Sequence, residues 1–195
     1  MCNSALLGKL TFGIFSAMLA APYLMAATNS PASGSLSLSG LIETTVLESG
    51  QHGYHTFRIP ASVVTKDGTV VLLVEGRKGS SSDFAAIDLL SMRSRDGGRS
   101  WSKPHVVWSE GSVEEQISIG NPTPIYDAIT GRIWCMFNRD NQRVFVTYSD
   151  NAGETWVRPR EITADIRPMH WMRYWTGPGH GLQLGQGAYR GRLIA

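Results

Sequence analysis

Cysteine is almost absent from this chain of 195 residues, in which only Cys2 and Cys135 occur. Cys135 lies in the apolar run 133–137, so we expect a buried thiol without a disulfide partner rather than a nucleophile. No second Cys or His stands near it at metal-ligand spacing. The sequence therefore predicts neither a disulfide scaffold nor a metal site, and no cofactor is expected.

Charge is also sparse. Charged residues make up 17% of the chain, the formal net charge is +2, and no long Lys/Arg run occurs. Composition thus suggests no polyanionic partner such as nucleic acid. Phosphate-binding Walker and dinucleotide Gly motifs are missing, and the Gly-rich segment around Gly79 lacks their spacing. The 42% hydrophobic content is ordinary for a globular domain, while six Trp and 21 Gly are typical of a turn-rich all-β protein.

Long apolar runs are missing except near the N-terminus. Residues 10–25 are mostly apolar, follow Lys9, and precede two small residues, which predicts an export signal over residues 1–27. The run is short for a spanning helix and Pro22 interrupts it, but an uncleaved membrane anchor is the alternative. Residues 28–41 predict a linker, and residues 42–195 the folded part. We therefore expect an exported protein, periplasmic or secreted, with no stable membrane insertion once the signal is cleaved.

Two turns share one sequence frame, Ser-x-[Asp/Asn]-x-Gly-x-[Ser/Thr]-Trp, at residues 94–101 and 149–156. Their glycines lie about 55 residues apart, which is the size of one β-propeller blade. The Asp or Asn side chain can bond backbone N–H groups across a tight turn, Gly permits a positive φ, and Trp can anchor the turn from below. We assign the shared residues to the scaffold and not to catalysis: Ser94, Asp96, Gly98, Trp101, Ser149, Asn151, Gly153 and Trp156.

Short strand-like runs fill each repeat. They are predicted at 42–47, then at 57–65, 69–75, 87–93 and 105–109, at 122–127, 132–138, 143–149 and 160–163, and at 180–184 and 192–195. Four short antiparallel strands per repeat predict an all-β propeller, of which this chain holds about the first two and a half blades. Such a piece cannot close a ring, so we expect the N-terminal part of a longer protein. A complete sandwich of about ten strands is the alternative, and it leaves the repeat period unexplained.

The motif Phe57-Arg58-Ile59-Pro60, followed by the two Trp turns, resembles the sialidase (neuraminidase) family. The resemblance covers residues 56–195 and implies a six-bladed propeller that removes terminal sialic acid from glycoproteins, gangliosides and oligosaccharides with retention of configuration. In that family the Arg of this motif belongs to a triad that binds the substrate carboxylate, a role suited to the planar guanidinium. The structural alternative is an Arg58 paired with a neighbouring Glu or Asp on a propeller face.

The segment 75–83 carries the next candidate residues. It is similar to the family's Glu-x-Arg followed by a loop Asp, which implies that Arg77 contacts the sugar and that Asp83 is the general acid/base. A mobile Gly/Ser loop can bring such a carboxyl over the sugar ring. Asp88 is the competing carboxylate, and within its apolar run it could instead face solvent.

Asn121 begins the second set of strands, and we expect it at the repeat position that Arg58 occupies in the first set. The family has a similar Asn-Pro that lines the sugar pocket, whereas a turn residue at the start of the strand is the alternative. Residues 175–181 resemble the family's Gly-Pro-Gly loop, with His180 a scaffold residue more than a contact, and residues 169–174 could form an aglycone rim.

The family's Tyr nucleophile, its Glu base and two further carboxylate-binding arginines have no counterpart in this chain. The resemblance therefore implies a fragment that is inactive alone, whose expected partner is a sialylated glycan. A trans-sialidase, a non-catalytic carbohydrate-binding propeller and a propeller glycosidase for neutral glycans stay open as alternatives.

Overall fold

The computed structural model describes residues 9–12, 43–166, 168, 170–173 and 175–195. The predicted signal and linker lie outside the described residues except for Lys9–Phe12 (β1), whose backbone pairs antiparallel with Thr44–Glu48 (β2). The signal prediction thus stays a prediction. Among the helices in the described part of the chain, none is long and apolar enough to cross a membrane.

Two four-stranded antiparallel sheets follow one another along the chain, each in simple up-and-down order. The first contains β3 (Thr56–Val64), β4 (Val70–Arg77), β5 (Ile87–Ser94) and β6 (His105–Trp108). The second contains β7 (Ile119–Asp127), β8 (Arg132–Arg139), β9 (Arg143–Ser149) and β10 (Arg160–Glu161). After the one-turn helix α1 (Thr163–Ile166), β11 (Leu182–Gln183) and β12 (Leu193–Ile194) pair as the start of a third sheet. This repeat confirms the predicted partial propeller.

The hydrophobic core lies on both faces of the first blade, which is the sheet β3–β6. β4 is buried almost throughout, because β2 covers one face of its sheet and the second blade covers the other. Leu72 and Val74 pack with Leu47 of β2, whereas Val71 and Leu73 face the second blade. The hydrophobic cluster that contains Val71 and Leu73 also includes Ile119, Ile133, Phe137 and Cys135. Burial raises the pKa of the Cys135 thiol to about 12, as expected of an inert core cysteine.

The first strand of each blade, β3 in the first and β7 in the second, is the inner strand, and both contain a β-bulge at the same place. In β3 the register shifts between Arg58 and Ala61, and in β7 it shifts between Gly120 and Thr123. Ile59 and Asn121 have φ values of 55° and 54°, and each precedes a proline. Asn121 therefore corresponds to Ile59, and the expectation that it occupies the Arg58 position was wrong by one residue. The sequence did not reveal the bulge, which adds a residue to each strand and sets the frame.

The two Trp turns use the same hydrogen bonds. In both, the Ser hydroxyl accepts the N–H of the Gly, and the Asp or Asn Oδ1 accepts the N–H of the small hydroxyl residue. The Gly98–Ser94 and Gly153–Ser149 bonds are 2.8 and 2.9 Å long, and the Ser100–Asp96 and Thr155–Asn151 bonds are both 2.9 Å. Hydrogen bonds from Ser100 hold the pKa of Asp96 well below its usual range. A carboxylate bonded in this way serves the turn.

Candidate active site

The four residues proposed for chemistry line one cavity of about 250 Å³. Arg58 comes from β3, Arg77 from the end of β4, Asp83 from the β4–β5 loop and Asn121 from the bulge of β7. The cavity is lined further by Ile59, Glu75, Phe84, Ile87, Ser118, Gly120, Asn141, Arg173 and Trp175. The strand ends of two adjacent blades thus bring together groups that are far apart in sequence.

Asp83 binds both arginines through one oxygen. Its Oδ1 lies 2.6 Å from Arg77 Nη1 and 2.9 Å from Arg58 Nη1. The hydrogen bond from Arg77 is the main reason that the pKa of Asp83 is lowered, and the charges of both guanidinium groups add to it. The side chains of Arg58 and Asp83 are 47% and 61% exposed. Arg58 is therefore paired with a carboxylate, as the structural alternative supposed, but that carboxylate lies on an exposed loop and not on a propeller face.

The loop that carries Asp83 is closed at its base, and its exposed tip is bonded to the arginines of the cavity. The Lys78 N–H donates to the Ala86 carbonyl over 2.8 Å, and Ser118 Oγ of the second blade donates to the Ala85 carbonyl over 2.8 Å. Arg77 Nη1 also donates to the Ser81 carbonyl over 2.7 Å. The loop therefore projects the Asp83 carboxylate over the cavity from a fixed base.

Arg77 is held by a buried carboxylate. Glu75 Oε2 accepts hydrogen bonds from Arg77 Nη2 at 2.7 Å and from Arg77 Nε at 3.1 Å, and the two side chains are 4% and 2% exposed. Burial raises the pKa of Glu75, and the Arg77 hydrogen bond opposes that shift. An ion pair buried in this way fixes the guanidinium plane, because the remaining Nη1 has one direction left to point.

Asn121 lies in the bulge and lines the cavity, while its part in a sugar pocket stays a prediction. It is the positive-φ bulge residue at the start of the second blade, and its side chain lines the cavity. Its backbone N–H donates to Glu75 Oε1 over 3.0 Å, and its Nδ2 donates to Asn141 Oδ1 over 2.8 Å. Sequence reasoning missed Asn141, whose only local signal is its place in the turn between β8 and β9.

Asp88 lies elsewhere and is buried, so the solvent-facing interpretation is wrong. Its Oδ2 accepts a hydrogen bond from the Tyr54 hydroxyl at 2.8 Å, and its Oδ1 lies 2.8 Å from Lys78 Nζ and accepts a bond from Ser109. It does not line the cavity. The structure thus brings Asp83, and not Asp88, to the arginines.

The mouth of the cavity includes part of the expected rim. Of the expected rim at 169–174, Arg173 lines the cavity and Met172 is exposed; Trp175, the first residue of the predicted 175–181 loop, also lines it and is exposed. Met169 and Tyr174, which belong to the same expected rim, lie outside the described residues. His180 is not among the lining residues. In the described ranges no cluster of three or more His, Cys, Asp or Glu side chains is placed to hold a metal.

The arrangement can bind a carboxylate and can exchange a proton. Two guanidinium groups point their Nη1 atoms at one oxygen of a carboxylate, which is the geometry of a binding site for an organic acid. That carboxylate is Asp83 itself, and because it lies on an exposed loop it can leave the arginines and exchange a proton with a bound ligand.

Curated proteins similar to this chain are sialidases. The sialidase of Micromonospora viridifaciens is 30% identical over 205 aligned positions, which cover 90% of this chain and 32% of that protein. The exo-alpha-sialidase of Aspergillus fumigatus is 27% identical, with coverages of 69% and 40%, and human Sialidase-4 is 27% identical, with coverages of 68% and 31%. No family model matches the chain. The chain spans about a third of the length of the curated relatives it matches.

Solved structures agree on the fold. The Hadza microbial sialidase Hz136 superposes with a TM-score of 0.67 at 25% identity, covering 74% of this chain and 34% of that one. The intramolecular trans-sialidase of Ruminococcus gnavus gives a TM-score of 0.64 at 16% identity, with coverages of 72% and 55%. Because its identity is only 16%, the second match supports the fold and nothing further.

Proposed function

Because the chain belongs to the sialidase family, we propose that its cavity is the N-terminal half of the active site of an exo-α-sialidase. The complete protein would hydrolyse terminal sialic acid from glycoproteins, gangliosides and oligosaccharides with retention of configuration. The observation that carries the proposal is the convergence of Arg58 and Arg77 on the Asp83 carboxylate inside one cavity. A pair of arginines that already holds an organic carboxylate is chemically suited to hold that of sialic acid.

In this proposal Arg58 binds the substrate carboxylate and Arg77 contacts the sugar nearby. The incoming carboxylate takes the place of Asp83 on Arg58, so that Asp83 is displaced over the ring. Once Asp83 leaves Arg77, whose hydrogen bond is the main cause of its lowered pKa, as well as Arg58, that pKa rises, which favours the protonated form that a general acid needs. The binding step therefore prepares the acid.

Asp83 would then donate its proton to the oxygen of the leaving group as the glycosidic bond breaks. A Tyr, activated by a Glu, would attack the anomeric carbon; both residues are expected outside this chain. Asp83, now ionised, would take a proton from water, whose oxygen forms the new bond to the anomeric carbon and releases the Tyr. Two displacements at one carbon give retention, and no cofactor takes part.

A fluorogenic α-sialoside tests the proposal on the complete protein that contains this chain. We expect Asp83→Ala to lower kcat by about 10²- to 10⁴-fold and Arg58→Ala to lower kcat/KM by about 10- to 200-fold. The matched control is Arg132→Ala, because Arg132 pairs with Asp150 on an outer turn and does not line the cavity. A folded complete protein without turnover would favour the carbohydrate-binding alternative, and transfer to an added acceptor sugar would identify a trans-sialidase.

A further inference from the structure

Glu75 connects two of the predicted substrate-binding residues, Arg77 on the first blade and Asn121 on the second. Its Oε2 accepts both the Nε and the Nη2 hydrogen bonds of Arg77, and its Oε1 accepts the backbone N–H of Asn121 at 3.0 Å. The carboxylate is buried and lies at the boundary between β4 and β7. Both of its oxygens are thus engaged by residues of the candidate site.

The direction of Arg77 follows from this contact. With Nε and Nη2 bonded to Glu75, the guanidinium plane is fixed and Nη1 faces the cavity. There Nη1 lies 2.7 Å from the Ser81 carbonyl and 2.6 Å from Asp83 Oδ1. A guanidinium without this support would rotate about its long side chain, and the site would lose the angle at which Nη1 meets a ligand.

The position of Asn121 depends on the same carboxylate. Asn121 has a φ of 54° and donates its N–H to Glu75, and the preceding Gly120 leaves room for the Glu75 side chain to cross the blade boundary. A Cβ placed on Gly120 would lie 2.2 Å from Glu75 Oε1. Real Cβ atoms do not approach an oxygen so closely, so only glycine at this position is compatible with the contact.

We propose that Glu75 is a positioning residue, which aims Arg77 Nη1 into the cavity and fixes the Asn121 bulge across the blade boundary. This inference rests on the proposed function for its kinetic consequences. Glu75 itself does not need to touch the substrate. Its effect on turnover passes through Arg77 and Asn121, and that dependence separates it from a residue that only stabilises the fold.

A double-mutant cycle on the complete protein tests the dependence. A Gln side chain has one accepting oxygen and one donating NH₂, so Glu75→Gln cannot accept bonds from both partners. We expect kcat/KM for the fluorogenic sialoside to fall by about 10- to 100-fold. In an Arg77→Ala background the same substitution should lower kcat/KM by a clearly smaller factor, because only the part of the effect that passes through Asn121 remains. Independent, multiplying effects would overturn the proposal.

A second substitution, at Gly120, would move the Glu75 side chain without removing its charge. Gly120→Ala should displace Glu75 and lower kcat/KM by a similar factor, whereas Gly185→Ala, with open space around its added Cβ, should not. Glu110→Gln is the matched carboxylate control, because Glu110 also bonds an arginine and a side-chain N–H but does not line the cavity. A Gly120→Ala protein with unchanged kcat/KM would contradict the proposal.

One readout does not need turnover. In a crystal structure of the Glu75→Ala protein, which lacks both accepting oxygens, we expect Arg77 Nη1 to leave both Ser81 and Asp83. Nη1 still bonded to both would overturn the positioning role even if the wild type hydrolysed no sialoside. Wild-type turnover together with an additive cycle would overturn this inference alone and leave the proposed function standing.

Discussion

Arg58 Nη1 lies 2.9 Å from Asp83 Oδ1, so the residue proposed to bind the substrate carboxylate is bonded to the residue proposed as the acid. The two come from different parts of the chain, and both side chains are substantially exposed. A bond of this kind is weak, because water screens the charges and both side chains lose conformational freedom. It can therefore be exchanged for a bond to a ligand at little cost.

This relationship predicts that the Asp83 carboxylate competes with free sialic acid for Arg58. Asp83→Ala should bind sialic acid about 1.4- to fivefold more tightly than the wild type, since an exposed ion pair contributes about 0.2–1 kcal/mol. Isothermal titration calorimetry measures the change. Asp150→Ala, which removes an exposed carboxylate paired with Arg132, is the control. Weaker binding by Asp83→Ala would mean that Asp83 helps to hold the ligand.

Asp83 and Asp88 should respond to amide substitution in opposite ways. Asp83→Asn should lower kcat by about 10²-fold or more, while the exposed side chain leaves the free energy of unfolding within about 0.5 kcal/mol. Asp88→Asn should cost about 1–3 kcal/mol, because buried Asp88 accepts bonds from Tyr54 and Ser109 and pairs with Lys78. Urea denaturation and sialoside turnover, measured on both variants, show which of the two carboxylates is the acid and which stabilises the fold. A stable Asp88→Asn protein with little activity would move the acid role to Asp88.

Asp96 should affect stability in acid and not turnover. Its folded-state pKa lies below the unfolded value, so the stability it contributes is present above about pH 4 and is lost as the pH falls through the folded pKa. Asp96→Asn should therefore flatten the acid side of the stability profile, and the turn should survive because Asn151 forms the second turn. Urea midpoints between pH 2 and 7, with kcat at neutral pH, test this. A large loss of kcat in a folded Asp96→Asn protein would contradict a scaffold role.

Gly153 should be essential for the contact between the blades. An added Cβ would lie 2.7 Å from Val71 Cγ1, and φ is +75°. Gly153→Ala should destabilise the protein by about 2–4 kcal/mol, which combines crowding with left-handed backbone strain. Gly68→Ala has a similar φ of +84° but open space, so it should cost only about 1 kcal/mol. Equal urea midpoints for the two variants would show that the blades do not meet closely at Gly153.

Several features of the fold were predictable because they depend on short-range pattern. The observed β9, Arg143–Ser149, has the predicted bounds, and β5, Ile87–Ser94, differs by one residue. Period-2 runs between glycine turns specify strands locally, and the two Trp turns specify a repeat. The loop position of Asp83 followed from the Gly and Ser residues around it.

The tertiary structure decided what the site residues touch. Nothing in the local sequence tells that Glu75 bonds Asn121, because the two are 46 positions apart and meet only when the blades stack. The same holds for Ser118, which anchors the Asp83 loop from the second blade. The burial of Asp88 was missed because its three partners come from separate segments.

The sequence by itself determined the strands, the turns and the residue types that can hold a carboxylate, since these depend on side-chain chemistry and neighbours a few positions away. Only the tertiary structure decided the frame of the inner strands. A bulge before Pro60 and another before Pro122 place Gly120, and not Asn121, at the position of Arg58. The proline that follows Ile59 and Asn121 is the local sign that the two bulges share, but packing and hydrogen bonds between distant segments decide which side chains they turn into the cavity.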